Sequence, residues 1–66
     1  MEYSNSQIRD LIAAYIHSLR DRQILCQRLI NGATISELTT EFTLSVSQVK
    51  RVIRKNEEIL FKHIPK

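Results

Sequence analysis

Four cations, Lys50, Arg51, Arg54 and Lys55, fall within residues 50–55 with no acid between them. Ammonium and guanidinium groups at this density form a footprint for phosphate, in a nucleic acid or on a membrane surface. A solvated helix face is the competing reading. Just before them stand Ser47 and Gln48, whose hydroxyl and carboxamide can both donate and accept hydrogen bonds. The remaining polar residues offer little reactive chemistry. Ser47 has no base close in sequence to activate it as a nucleophile. His17 and His63 lack a Cys, His or carboxylate partner at metal-ligand spacing. Glu57 and Glu58 are adjacent, so on a helix their side chains diverge by about 100°. Cys26 sits among apolar neighbours and reads as a core residue. No glycine-rich phosphate loop occurs. The expectation is a chain without catalytic residues, metal, cofactor or small-molecule substrate.

The net charge of +3 is an average of two unlike parts. Residues 1–44 carry four cations against five acids, a net −1. Residues 45–66 carry six cations against two acids, a net +4. The excess therefore belongs to one short element.

That element must be positioned by a small fold. Sixty-six residues make one domain, 1–66, and exclude large cofactor-binding architectures such as a doubly wound sheet or a barrel. Apolar residues are 42% of the chain, enough for a core, and there is one glycine and one proline. An all-β fold needs turn residues far more often than that. A single cysteine makes no internal disulfide, which suits the reducing cytoplasm. No run of eighteen apolar residues and no secretory signal pattern is present. A cytoplasmic protein with no membrane association is expected.

The apolar periodicity is helical. Ile8, Leu11, Ile12, Tyr15, Ile16 and Leu19 form one stripe. They predict an N-terminal helix over about residues 6–20, capped by Ser4, Asn5 or Ser6. A second helix is expected with Asp21 as N-cap, Ile24, Leu25, Leu29 and Ile30 on its apolar face, and Asn31-Gly32 at its end. Thr34-Ile35-Ser36-Glu37 reads as a capping box opening a short third helix. Ser45-Val46-Ser47-Gln48 is a second such box. Two boxes eleven residues apart require a tight turn at Thr43-Leu44, so residues 34–55 read as a helix-turn-helix. Val49, Val52 and Ile53 face one side of the last helix, and Ser47, Arg51 and Arg54 the other. The helical segment 56–64 continues this helix or starts a fifth. The fold class expected is all-α, a four- to five-helix domain with a helix-turn-helix.

In a DNA-binding helix-turn-helix the second helix enters the major groove and its first residues touch base edges. Ser47 and Gln48 stand at that position, and Gln can pair bidentately with adenine. Arg51, one turn on, can pair with guanine, and Val46 can meet a thymine methyl. Lys50, Arg54 and Lys55 flank this face and can reach phosphates, which supply register and salt-dependent affinity. The amide-rich start of the third helix, with Thr34 and Ser36, is a further phosphate site in this reading.

These residues carry a family resemblance. Leu19-Arg20-Asp21-Arg22-Gln23-Ile24-Leu25 resembles the start of the fourth region of bacterial sigma factors. Thr34-Ile35-Ser36-Glu37-Leu38, Phe42, Leu44-Ser45 and Val49-Lys50-Arg51-Val52 resemble that region's helix-turn-helix without a gap. The same stretch is similar to the LuxR-type domain, where Gly32 and Ser45 with Val49-Lys50 also fit. The resemblance covers about residues 19–55. It implies a sequence-specific reader of double-stranded DNA that regulates bacterial or phage transcription. It places Val46, Ser47 and Arg51 at base-reading positions and Lys50 and Lys55 at DNA-facing ones. Sigma factors usually carry glycine in the turn, where this chain has Thr43. The base-reading side chains also differ from the family's, so its target sequence does not transfer. The chain is too short to include the promoter-melting and polymerase-binding domains of a sigma factor, and a free-standing regulator or an excised module is expected.

One recognition helix covers a half-site, so a homodimer is expected. Ile59, Leu60, Phe61 and Ile64 resemble the pairing helix of LuxR-type domains and are the favoured interface. The apolar stripe over residues 8–19 is the alternative. The rival function is a protein-interaction module that binds RNA polymerase, a sigma factor or another regulator. RNA binding lacks an aromatic cluster for base stacking.

Overall fold

A computed structural model describes residues 3–63. Four α-helices follow one another in the chain: α1 (Asn5–Tyr15), α2 (Leu19–Leu29), α3 (Ile35–Phe42) and α4 (Val46–Lys62). No strand is present among the described residues.

Each helix starts where a hydroxyl can accept an orphan amide hydrogen. At α1 the Gln7 N–H donates to Ser4 Oγ at 3.2 Å and the Ser4 N–H donates to Gln7 Oε1 at 2.8 Å. At α3 the same reciprocal pair joins Thr34 and Glu37, and at α4 it joins Ser45 and Gln48. The box that starts α1 was not part of the sequence reading, although Ser4 was among its candidate caps.

The first break departs from expectation. The helix predicted over 6–20 stops at Tyr15, and Ile16 is extended at φ −106°, ψ 117°. The true N-cap of α2 is Ser18, whose Oγ accepts the Asp21 N–H at 3.3 Å. Asp21 thus stands in the first turn of α2 and not at its cap. Arg22 holds the corner by reaching back to α1. Its Nε donates to the Ile16 carbonyl, and its Nη2 to the Ala13 carbonyl at 3.0 Å. These carbonyls lie at the end of α1, where no further turn of helix is there to use them. The stripe also ends early: Ile16 is buried, while Leu19 is 71% exposed.

The later turns differ in their residues. After α2, Gly32 takes φ 73° with nothing within 4 Å of where a Cβ would sit. Only its backbone conformation calls for glycine. Arg28 Nη1 ties this turn down by donating to the Ala33 carbonyl at 2.9 Å. After α3, Thr43 itself enters the left-handed region at φ 55°, ψ 48°. The amides of Thr43 and Leu44 both donate to the Thr39 carbonyl. The turn anticipated at Thr43-Leu44 is therefore made by a β-branched residue in a conformation that disfavours it.

Residues 56–62 do not start a fifth helix. They continue α4, which spans 17 residues, about 25 Å at 1.5 Å per residue. Ile12, Ile16, Ile24, Leu25, Leu38, Val49, Ile53 and Leu60 form the buried core. Both α2 and α4 approach all three other helices, so α4 is the spine on which the rest packs. Cys26 is half-buried and packs against this core, as expected of it. Tyr15 stacks face to face on His63, with ring centroids 3.7 Å apart and planes within 2°, closing α1 onto the end of α4.

Among the described residues, one buried residue is polar. Asn56 is 3% exposed, and its Nδ2 donates to Asp21 Oδ2 at 3.1 Å and to the Val52 carbonyl at 2.8 Å. It lies on the buried row Val49, Ile53, Asn56, Leu60, where the sequence reading had assigned it no role.

Candidate nucleic-acid interface

The outward face of α4 is built from its first turn upward. Ser45 Oγ accepts the Gln48 N–H at 3.1 Å, and Gln48 Oε1 accepts the Ser45 N–H at 2.9 Å. The Val49 N–H is the first to bond within the helix, to the Ser45 carbonyl at 3.0 Å. The amides of Val46 and Ser47 are left facing outward with no intrahelical acceptor. They add the positive end of a 17-residue helix to the side chains around them.

Val46, Ser47, Gln48, Lys50, Arg51, Arg54 and Lys55 are all exposed. At 100° per residue Ser47, Arg51 and Arg54 lie within an arc of about 60°. Lys50 and Lys55 widen it to about 140°, centred about 160° from the buried row. The expected opposition of cations and core on this helix is thus present. Among the described residues no acid pairs with Lys50, Arg51 or Lys55. Arg54 Nε lies 4.0 Å from Glu58 Oε1, with both groups exposed. Such a pair contributes at most about 1 kcal/mol and yields readily to a phosphate.

Two expectations for this face change in detail. Gln48 was assigned to read adenine, but its Oε1 is committed to the capping box. A bidentate pair would have to share that oxygen or open the box, which leaves Nε2 as its free donor. Val46 is 50% exposed, so its methyl groups are available to a partner at the start of the helix.

The phosphate site expected at the start of α3 is not supported. The Thr34 N–H donates to Glu37 Oε1 at 2.8 Å, and Thr34 Oγ1 accepts the Glu37 N–H at 3.1 Å. Both polar groups of Thr34 are therefore occupied. The backbone hydrogen bond from Thr34, and then that of its side chain, hold the Glu37 carboxyl below its ordinary range. A phosphate approaching Ser36 would meet this charged carboxylate over the same helix terminus. The carbonyl of Ser36 already accepts the hydroxyls of Thr39 and Thr40.

The expected dimer contact also needs correction. Leu60 is 2% exposed and belongs to the core. Ile59 is half-buried and packs against that core. Leu60 is held by the core and is not available to a second copy, whereas part of Ile59 stays open to solvent. Phe61, at 56%, is exposed. Ile64 lies outside the described residues.

No cluster of His, Cys, Asp and Glu suited to a metal occurs among the described residues. None of the helices is long and apolar enough to cross a membrane. In comparisons with known proteins, the chain gives no match to a family model, a curated protein or a solved structure.

Proposed function

We propose that the protein binds double-stranded DNA by placing the start of α4 in the major groove, and that it regulates transcription. The observation that carries this reading is the exposed arc of Lys50, Arg51, Arg54 and Lys55. It sits directly after a three-residue turn and opposite the buried row of the same helix. A merely solvated face has no need of four cations and no acid over residues 46–55.

In this reading Arg51 and Ser47 touch base edges, Gln48 contributes Nε2, and Val46 contacts a thymine methyl. Lys50, Arg54 and Lys55 hold phosphates on either side. One such helix reads only a half-site, so a second copy completes the recognition. Phe61, which is exposed, and Ile59, which is half-exposed, are the described members of the C-terminal stretch that remain for that contact.

Selection of bound duplexes from a random pool tests the reading. A recovered sequence motif is the expected outcome, and its symmetry reports the dimer. On that motif, Arg51→Ala relaxes the preference at one base pair by about 1–3 kcal/mol. Arg54→Ala weakens selected and random duplexes alike and reduces the salt slope by about one. Equal losses for both variants on both duplexes would refute the division of roles. Recovery of no duplex at low salt would refute DNA binding and favour the protein-interaction module.

A further inference from the structure

The geometry points to Asn56 as a positioning residue for the base-reading face of α4. Its hydrogen bond to Asp21 fixes the rotation of α4 about its own axis. The inference rests on the DNA-reading role proposed above and adds what aims the helix.

Asn56 interrupts a row that is otherwise apolar: Val49, Ile53 and Leu60. An aliphatic residue there would fit the row without desolvating an amide. Hydrophobic contact is non-directional, so an all-apolar row sets the rotation of α4 against α2 less sharply than a directional bond does. A hydrogen bond is directional. The Asn56 amide donates to Asp21 Oδ2 at 3.1 Å across 35 residues of sequence. The same nitrogen donates to the Val52 carbonyl at 2.8 Å, one turn back on α4, which fixes the side chain to its own helix.

The acceptor is itself held. The Asp21 N–H donates to Ser18 Oγ, and its Oδ1 accepts from Arg20 at 3.3 and 3.4 Å. Asp21 stands in the first turn of α2, where a carboxylate is favoured by the helix dipole. A hydrogen-bonded point in the first turn of α2 therefore meets one side of α4, while Ser47, Arg51 and Arg54 project from the other. A rotation of about 20° would carry their outer atoms by about 2 Å at the side-chain radius of a helix. That is enough to lose paired hydrogen bonds to a base edge and too little to lose attraction to phosphate.

The test compares Asn56→Leu, Asp21→Leu and the conservative Asp21→Asn, which keeps an oxygen acceptor for the Asn56 amide. Each variant and the unaltered protein are titrated with the selected duplex and with random duplex. The orientation of α4 relative to α2 is measured in the free protein by residual dipolar couplings. The leucine variants are expected to stay folded and bind random duplex within about twofold of the unaltered protein. Their preference for the selected duplex is expected to fall about tenfold, with a changed or averaged α4 orientation. Asp21→Asn should keep both preference and orientation. Unchanged α4 orientation in the leucine variants would overturn the proposal whether or not the protein binds DNA. A changed orientation with preference intact, or an equal loss on both duplexes, would overturn it too. Failure of the unaltered protein to bind any duplex would instead strike the proposed function.

Discussion

The starts of α3 and α4 are the same device carrying opposite charge. Thr34 and Glu37 exchange hydrogen bonds of 3.1 and 2.8 Å, and Ser45 and Gln48 exchange bonds of 3.1 and 2.9 Å. Each box satisfies two orphan amides and leaves two facing outward. At α3 the third residue is a carboxylate whose charged form Thr34 favours. At α4 it is a neutral carboxamide, followed by Lys50 and Arg51. The box stabilises a helix whatever its charge, and the charge decides whether an anion can approach. The same local motif therefore sets a carboxylate at the start of one helix and none at the start of the next.

The strongest way to break this contrast is to reverse the charge of α4. Arg51→Glu with Arg54→Glu should leave the fold intact, since both side chains are exposed. The two lost charged contacts, at about 1.5–3 kcal/mol each, predict affinity for any duplex at least about a hundredfold lower by fluorescence anisotropy. Near-normal binding would place the DNA elsewhere.

Exchanging the residues that close the two boxes sharpens the contrast. Gln48→Glu keeps the box and gives α4 the carboxylate of α3, so duplex affinity should fall about tenfold with thermal stability little changed. Glu37→Gln should leave affinity within about threefold, because no phosphate is expected at α3. Equal effects of the two changes would mean that both termini face the DNA.

The turn between the two helices gives a smaller effect. Thr43→Gly relieves a β-branched residue at φ 55°. The relief of about 1–2 kcal/mol is partly offset by the added freedom of the unfolded chain. Denaturant unfolding should show a net gain of about 0.5–1 kcal/mol. A loss would mean that the Thr43 side chain contributes something that outweighs its backbone strain.

The subtlest difference is in acid. The folded-state pKa of Glu37 is depressed, so its contribution to α3 is present above its ordinary value. It is lost as pH falls through the lower folded one. Gln48 does not titrate. Amide exchange in the first turn of α3 should therefore quicken in acid more than in the first turn of α4, and Glu37→Gln should remove the difference.

What the sequence revealed follows from how local each cause is. The boxes at Thr34 and Ser45 are complete within four residues, so they could be read directly. The opposition of Arg51 and Arg54 to Val49 and Ile53 needs only the helical repeat. The end of α1 was hidden because Leu19 continues the apolar spacing past the true break. The break depends on Ser18 and on Arg22 reaching six and nine residues back, and periodicity does not register such contacts. The role of Asn56 was hidden because its partner Asp21 is 35 residues away. Leu60 was read as surface because the path of α4 beyond Lys55 depends on what it packs against. The spacing 49, 53, 56 and 60 does contain the signal that Asn56 shares the buried row.

The central claim is that the α4 arc meets the phosphates of duplex DNA. Its most direct test is the affinity of the unaltered protein for a random duplex across a range of salt concentrations. Contacts from Lys50, Arg54 and Lys55, with Arg51 near the backbone in non-specific complexes, predict binding at low salt. They also predict a fall of log K against log salt with a slope of about −3. No binding at low salt, or a slope near zero, would contradict it.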